Sequence, residues 1–235
     1  YHDSRIRLIK NKHDYIGSLN ILLDEARGKY IARMDADDVM MPERLKIQFE
    51  YMESHGNIDV LATSAILLDT EERVCDYADC VTVSKQDLLY SNPIIHPTTF
   101  MRVSTLKLHN LKYEESFKYA EDYRLWTLYL MKSLKIDILS YTGIKYRTSQ
   151  NQTSYARSLR VRKSANRVRT LFAKWLCHQS NRLYQQPTIK QTEKLLTVII
   201  PFLNEGKEVV ETVKSLKSYV LDKIDIIVIT DFSTD

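Results

Sequence analysis

Apolar residues fall in short blocks whose spacing alternates along the chain. Residues 17–26 place Leu19, Leu22, Leu23 and Ala26 at helical spacing, and Gly28 stands where a glycine past a helix end belongs. Residues 5–9 and 30–34 read as short strands. Residues 42–54 predict a helix that presents Leu45, Phe49 and Met52 on one face, ended by His55-Gly56-Asn57. Residues 58–68 are apolar and β-branched, the signature of a central strand. Residues 71–84 read as loop and hairpin. Ser84 caps a helix running through Tyr90, with Asp87 as the acid of a capping box. Residues 92–102 follow as turn plus strand. Residues 119–133 predict a helix with Leu125, Leu128 and Tyr129 inward, and residues 136–146 a strand. Residues 155–184 form a long helical pattern with Val161, Val168, Leu171, Phe172, Trp175 and Leu176 along one side, broken at Gln185-Gln186-Pro187. Residues 195–202, 205–219 and 224–230 then read as strand, helix, strand. Strands alternating with helices predict an α/β fold with a largely parallel sheet. The last strand ends in acidic and hydroxyl residues, where open α/β sheets bind nucleotides.

The chain has 235 residues, 44% hydrophobic and 27% charged, an ordinary globular composition for one sizeable domain or one and a half small ones. No apolar run reaches the length of a membrane span, and no signal peptide is recognisable. Tyr1 is not a natural start, so the sequence reads as a piece of something longer. Cys75, Cys80 and Cys177 make no metal pattern and cannot all pair, which points to a reducing compartment. The net charge of +4 hides an asymmetry: residues 138–192 carry 11 Lys or Arg and no acid, and the remainder is net acidic.

The most chemically loaded stretch is Asp35-Ala36-Asp37-Asp38, between an apolar run and Pro42, which opens a helix. Three carboxylates in four residues repel one another unless a cation or many donors compensate. Oxygen-only ligands suit Mg²⁺ or Mn²⁺, usually shared with a substrate phosphate. The plainer reading is an acidic turn with Asp38 capping the next helix. Glu121-Asp122 opens another helix, whose positive end keeps carboxylates ionised. His96, between Ile95 and Pro97, suits contact with phosphate or acceptor, or a structural place; Arg147 suits a diphosphate or a carboxylate.

Placed in order, these pieces resemble an inverting family 2 glycosyltransferase of the GT-A type, as in bacterial surface-polysaccharide and lipopolysaccharide synthesis. Asn11…Gly17…Asn20 with Ala26-Arg-Gly28-Lys-Tyr30 carries the resemblance, followed by Arg33-Met-Asp35-Ala-Asp37-Asp38…Pro42-Glu-Arg44…Gln48. Asn92-Pro-Ile-Ile-His96-Pro, Tyr119-Ala-Glu121-Asp122-Tyr-Arg-Leu-Trp126 and Tyr146-Arg147…Ser154 extend it. In the tail, Thr197-Val-Ile-Ile-Pro201-Phe-Leu-Asn204-Glu205 resembles the family's first strand, and Ile227-Val-Ile-Thr230-Asp231-Phe232-Ser-Thr-Asp235 its second strand and acidic turn. Two departures stand out. Phe232 occupies a place where the family has glycine, and Ser149 one where it often has histidine.

The resemblance implies a GT-A (Rossmann-like) nucleotide-diphospho-sugar transferase fold, a mixed, mostly parallel sheet flanked by helices. It implies a glycosyltransferase (EC 2.4, hexosyltransferase-like) that moves a sugar, with inversion, from a nucleotide-diphosphate donor to a glycan or lipid-linked acceptor hydroxyl. The alternative is a non-catalytic module of the same fold that binds sugar nucleotides or glycans. By resemblance Asp37 is a metal ligand and Asp35 contacts ribose or metal. Asp122 is the base, with Glu121 as the alternative, and Asp231 and Asn204 hold the donor's base and ribose in the tail copy. His96 and Arg147 join the donor contacts, and the metal is Mg²⁺ or Mn²⁺.

Residues 1–154 then form the C-terminal portion of one such domain, 155–194 a basic helical linker, and 195–235 the opening β-α-β of a second or permuted domain. The expectation is a piece of a tandem protein, with a circular permutant as the alternative, cytoplasmic or at the inner face of the membrane. The basic helix, residues 157–182, reads first as that linker packed on the acidic body. Its second reading is a helix lying on an anionic membrane near a lipid-linked acceptor. The acidic body argues against nucleic acid as a partner.

Overall fold

The computed structural model describes residues 3, 5–12, 14–75, 77, 79–148, 158–184, 196–202 and 224–230, with side chains through residue 179. The chain divides into two compact units, residues 1–177 and 178–235.

The first unit is built on a six-stranded mixed sheet. Its strands are β1 (Tyr30–Ala32), β2 (Val39–Met40), β3 (Val60–Leu67), β4 (Cys80–Thr82), β5 (Phe100–Arg102) and β6 (Ile136–Tyr146). The order is β1-β5-β3-β6-β2, with β4 also on β6. The longest ladder is parallel, β3 on β6 from Val60↔Ile136 to Leu67↔Tyr146. The shorter pairings, of β1 on β5, β5 on β3, and β2 and β4 on β6, are antiparallel. The β3–β6 register slips between Thr63 and Ser64 and again between Ser64 and Ala65, so the 11 residues of β6 match the 8 of β3 through bulges.

The α-helices are α1 (Tyr15–Glu25), α2 (Arg44–Ser54), α3 (Asp87–Tyr90), α4 (Val103–Leu108), α5 (Glu121–Met131) and α6 (Ser158–Tyr184). Buried Val60 to Ala65 make β3 the apolar central strand that its sequence predicts. The main core gathers Ile16 and Leu23 of α1, Met101, Trp126 and Tyr129 of α5, Ile136, and Val168 and Phe172 of α6. A second cluster joins Met52, Ile58, Leu61 and Phe100. Charged groups take part in packing α6 on the body. Arg167 donates to the Ser116 carbonyl at 2.9 Å and lies over the Phe117 ring, and Lys85 lies over Trp175.

The capping box forms as its spacing predicts. Asp87 accepts from the Ser84 N–H at 2.7 Å, and Ser84 Oγ accepts from the Asp87 N–H at 3.2 Å. Several expectations need correction. Residues 5–9 pair with no strand among the described residues; Ile6, Leu8 and Ile9 are exposed there. Helix α1 ends at Glu25 because Ala26 is already extended, so Gly28 is not its left-handed stop. Helix α2 buries Arg44, Gln48 and Met52, whereas Leu45 and Phe49 are exposed. Both faces share Met52 at helical spacing, and hydrophobicity alone selected the wrong one. Asp38 does not cap α2, whose cap position is Glu43 without a side-chain bond.

In the second unit β7 (Leu196–Phe202) pairs in parallel with β8 (Ile224–Thr230), in register from Leu196↔Ile224 to Phe202↔Thr230. Parallel neighbours require a crossover. The helix expected over 205–219 lies outside the described residues.

Candidate active site

Strand β1 delivers the acidic turn. Its neighbour β5 holds it from one side, and the Arg33 N–H continues the link by donating to the Thr99 carbonyl at 2.9 Å. Beyond Met34 the chain turns, and carboxylate oxygens of Asp35, Asp37 and Asp38 lie within 4.8 Å of one another. Arg33 Nη2 pairs with Asp35 Oδ1 at 2.6 Å. Strand β6 closes the far side: the Arg147 N–H donates to Asp38 Oδ1 at 2.9 Å and Arg147 Nε to the Asp37 carbonyl at 2.9 Å. The second oxygen of Asp38 is buried without a hydrogen-bond partner. Burial pushes Asp38 above the ordinary carboxylate range; the Arg147 N–H opposes this, and the charges of Asp35 and Asp37 add to it. A compact, all-oxygen donor set with one buried oxygen unsatisfied fits a hard divalent cation, Mg²⁺ or Mn²⁺.

A second pair of carboxylates opens α5. Glu121 and Asp122 occupy its first turn, behind Tyr119, whose φ of 75° puts a bulky residue in left-handed backbone. Such strain is uncommon and collects at functional sites. Asn92 Nδ2 donates to Asp122 Oδ2 at 3.0 Å. Burial raises both acids above their usual range, and the charge of Arg33 pulls each back down. Glu121 Oε2 and Arg33 Nη1 are both buried without hydrogen-bond partners.

His96 lies in a 3-10 turn, His96–Thr98. Its Nε2 is 2.7 Å from the Tyr113 hydroxyl, and its ring meets the edge of Trp126 at 5.9 Å between centroids. Asn20 clasps the Tyr113 backbone through two bonds of 2.9 Å. Burial, then the charge of Arg33, holds the imidazole well below its ordinary pKa, so it is neutral at pH 7.

The structure thus brings Asp35, Asp37, Asp38 and Arg147 together at the turn. The field of Arg33 joins that turn to Glu121, Asp122 and His96. Asn204 and Asp231 lie outside the described residues. Sequence reasoning assigned no role to Arg33, Arg44, Gln48, Asn92 or Tyr113. Arg44 and Gln48 did carry a signal, because both stand in the Pro42-Glu-Arg44…Gln48 stretch that carries the family resemblance.

A mixed α/β sheet with a carboxylate turn at the end of β1 and a carboxylate pair opening α5 defines a domain of the GT-A type. The chain belongs to glycosyl transferase family 2, whose family model matches residues 1–100 and 197–235. It is 32% identical to an uncharacterized glycosyltransferase of Methanocaldococcus jannaschii, over 68% of this chain and 57% of that one. It is 30% identical to an uncharacterized glycosyltransferase of Haemophilus influenzae, over 71% of this chain and 55% of that one. The Escherichia coli UDP-Glc:alpha-D-GlcNAc-diphosphoundecaprenol beta-1,3-glucosyltransferase is 27% identical, over 66% of this chain and 60% of that one. The chain therefore spans a little over half the length of these three relatives.

Proposed function

We propose that the protein transfers a sugar, with inversion, from a nucleotide-diphosphate donor to a hydroxyl of a glycan or lipid-linked acceptor. The supporting observation is the pairing of two carboxylate groups of different character. One is a cation-binding turn at Asp35, Asp37 and Asp38; the other is Glu121-Asp122, buried and raised in pKa, and both lie in the field of Arg33. Asp37 and Asp35 would hold a divalent cation, which would neutralise the charge of a diphosphate leaving group. Asp122, oriented by Asn92, takes the proton of the acceptor hydroxyl, with Glu121 as the alternative base. Its raised pKa brings it nearer the pH at which a base is both deprotonated and able to accept a proton. The acceptor oxygen then bonds to the anomeric carbon as the bond to the diphosphate oxygen breaks, and the nucleoside diphosphate leaves with the electron pair. Arg147, at the rim of the turn, is assigned to the donor diphosphate. His96, whose Nε2 is occupied by Tyr113, supports the floor beneath the donor. A lipid-linked acceptor is supported by the diphosphoundecaprenol acceptor in the name of the E. coli relative.

The two separate family matches, 1–100 and 197–235, support the domain reading. Residues 1–154 end one GT-A domain, 155–194 link, and 195–235 open another, where Asn204 and Asp231 are assigned to donor binding. Helix α6, with Val168 and Phe172 buried, suits the linker role better than a membrane-lying one. No helix among the described residues is long and apolar enough to cross a membrane.

Thermal unfolding in UDP, GDP or dTDP, each with and without Mn²⁺, tests the reading, because a ligand that binds the folded state raises its apparent stability. One nucleotide is expected to raise Tm in a Mn²⁺-dependent way, and Asp37→Ala to lose the effect. Shifts that persist in Asp37→Ala would overturn the assignment of the metal turn.

A further inference from the structure

Under the acidic turn lies a buried polar pair that the chemistry above does not use. Arg44, from the first turn of α2, is fully buried. Its Nη2 donates to the Arg33 carbonyl at 2.8 Å, and Nη1 lies 3.4 Å from Met34 Sδ. Its Nε donates to Gln48 Oε1 at 2.9 Å, one helical turn on. Gln48, also fully buried, passes the contact along: Nε2 donates to the Thr98 carbonyl at 2.9 Å and to the Leu61 carbonyl at 3.2 Å. One side-chain relay therefore ties together the two residues preceding Asp35, the 3-10 turn that carries His96, and the central strand β3.

Burying a guanidinium against uncharged acceptors is costly, and apolar residues of like volume often serve stability as well or better. Helix α2 turns this polar pair inward while Leu45 and Phe49 on the same helix stay exposed. What the relay supplies is fixed geometry. A fork of planar donors holds the backbone from which the carboxylates project, and supports of this kind tune metal sites.

We propose that Arg44 and Gln48 are positioning residues that hold the acidic turn in its cation-binding geometry. This rests on the reading of Asp35, Asp37 and Asp38 as a divalent-cation site. The experiment is a Mn²⁺ titration of the 235-residue chain, followed by the electron paramagnetic resonance signal of free Mn²⁺. It compares the unaltered chain with Arg44→Lys, Gln48→Met and Tyr51→Phe. Arg44→Lys keeps the charge and loses the fork; Gln48→Met keeps the volume and loses the donors. Both are expected to bind Mn²⁺ more weakly, on the order of tenfold. Tyr51→Phe removes a 2.8 Å bond to Asp137 away from the turn and is expected to bind like the unaltered chain. Circular dichroism checks folding, and if Arg44→Lys does not fold, Gln48→Met decides. Unchanged Mn²⁺ affinity in the folded variants, or equal weakening in Tyr51→Phe, overturns the positioning role while leaving the cation site standing. No Mn²⁺ binding by the unaltered chain removes the cation site itself, and the positioning role with it.

Discussion

Arg33 grips Asp35 at 2.6 Å through Nη2, and its Nη1 is buried with no hydrogen-bond partner. The same guanidinium lowers the pKa of Glu121 and of Asp122 against the effect of their burial. One cation therefore serves both carboxylate groups. Arg33→Gln removes it, and the proton affinity of Asp122 rises further. The acid limb of kcat/KM against pH is expected to move to higher pH. A limb that stays in place would separate Arg33 from the base.

Asp122→Asn trades activity for stability. The folded-state pKa of Asp122 is raised by burial, so the folded state holds the proton more tightly than the unfolded chain. Its contribution to stability is fully present below the ordinary carboxylate range and is lost as pH rises through the raised value. Asn has no charge to bury. The variant is expected to melt higher than the unaltered protein at pH 7, with the difference gone at low pH. Its transfer rate is expected to fall by about 100-fold or more. Melting curves at both pH values, with an assay of sugar transfer, check both halves.

Gly143 lets β6 pass close to β3. A Cβ there would stand 2.1 Å from Thr63 Oγ1 and 3.1 Å from Thr63 Cβ. Thr63 is buried, so it has little room to yield. Gly143→Ala is expected to cost about 1–3 kcal/mol, the usual range for overpacking. Thr63→Ala in the same chain is expected to recover part of it. Denaturant unfolding of the two single variants and the double variant decides.

The buried face of α2 can be checked directly. Met52→Ala is expected to cost about 2–5 kcal/mol, as for other fully buried large side chains. Leu45→Ser, on the exposed face, is expected to stay within about 0.5 kcal/mol. A large loss at Leu45 would show that another surface covers that face.

Much of this was legible in the sequence, for identifiable reasons. Strand β3 showed itself because burial on both faces makes a strand largely apolar. The Ser84-Asp87 box was readable because reciprocal capping needs two residue types at one spacing. The acidic turn stood out by charge density alone. Burial of Arg44 and Gln48 was not legible, because polar residues are assigned to solvent unless their partners are known, and here the partners are main-chain carbonyls of Arg33, Leu61 and Thr98. The His96–Tyr113 contact joins residues far apart in sequence, which no periodicity reports. The left-handed backbone at Tyr119 had no signal either, since the sequence places there a residue that disfavours it.

Strand β6 acts as a ruler. It starts beside Val60 in the core and ends where Arg147 meets the acidic turn, and its bulges absorb the residues by which it exceeds β3. Each residue in a strand advances the chain by roughly 3.3 Å. Deleting one regularly paired residue, such as Lys145, would leave the core pairing at Ile136 in place yet draw Arg147 back by about that distance, beyond hydrogen-bond reach of Asp38. The spacing between scaffold and turn is thus written as a count of residues, and relatives that lengthen or shorten this strand would re-aim the turn without altering a single carboxylate.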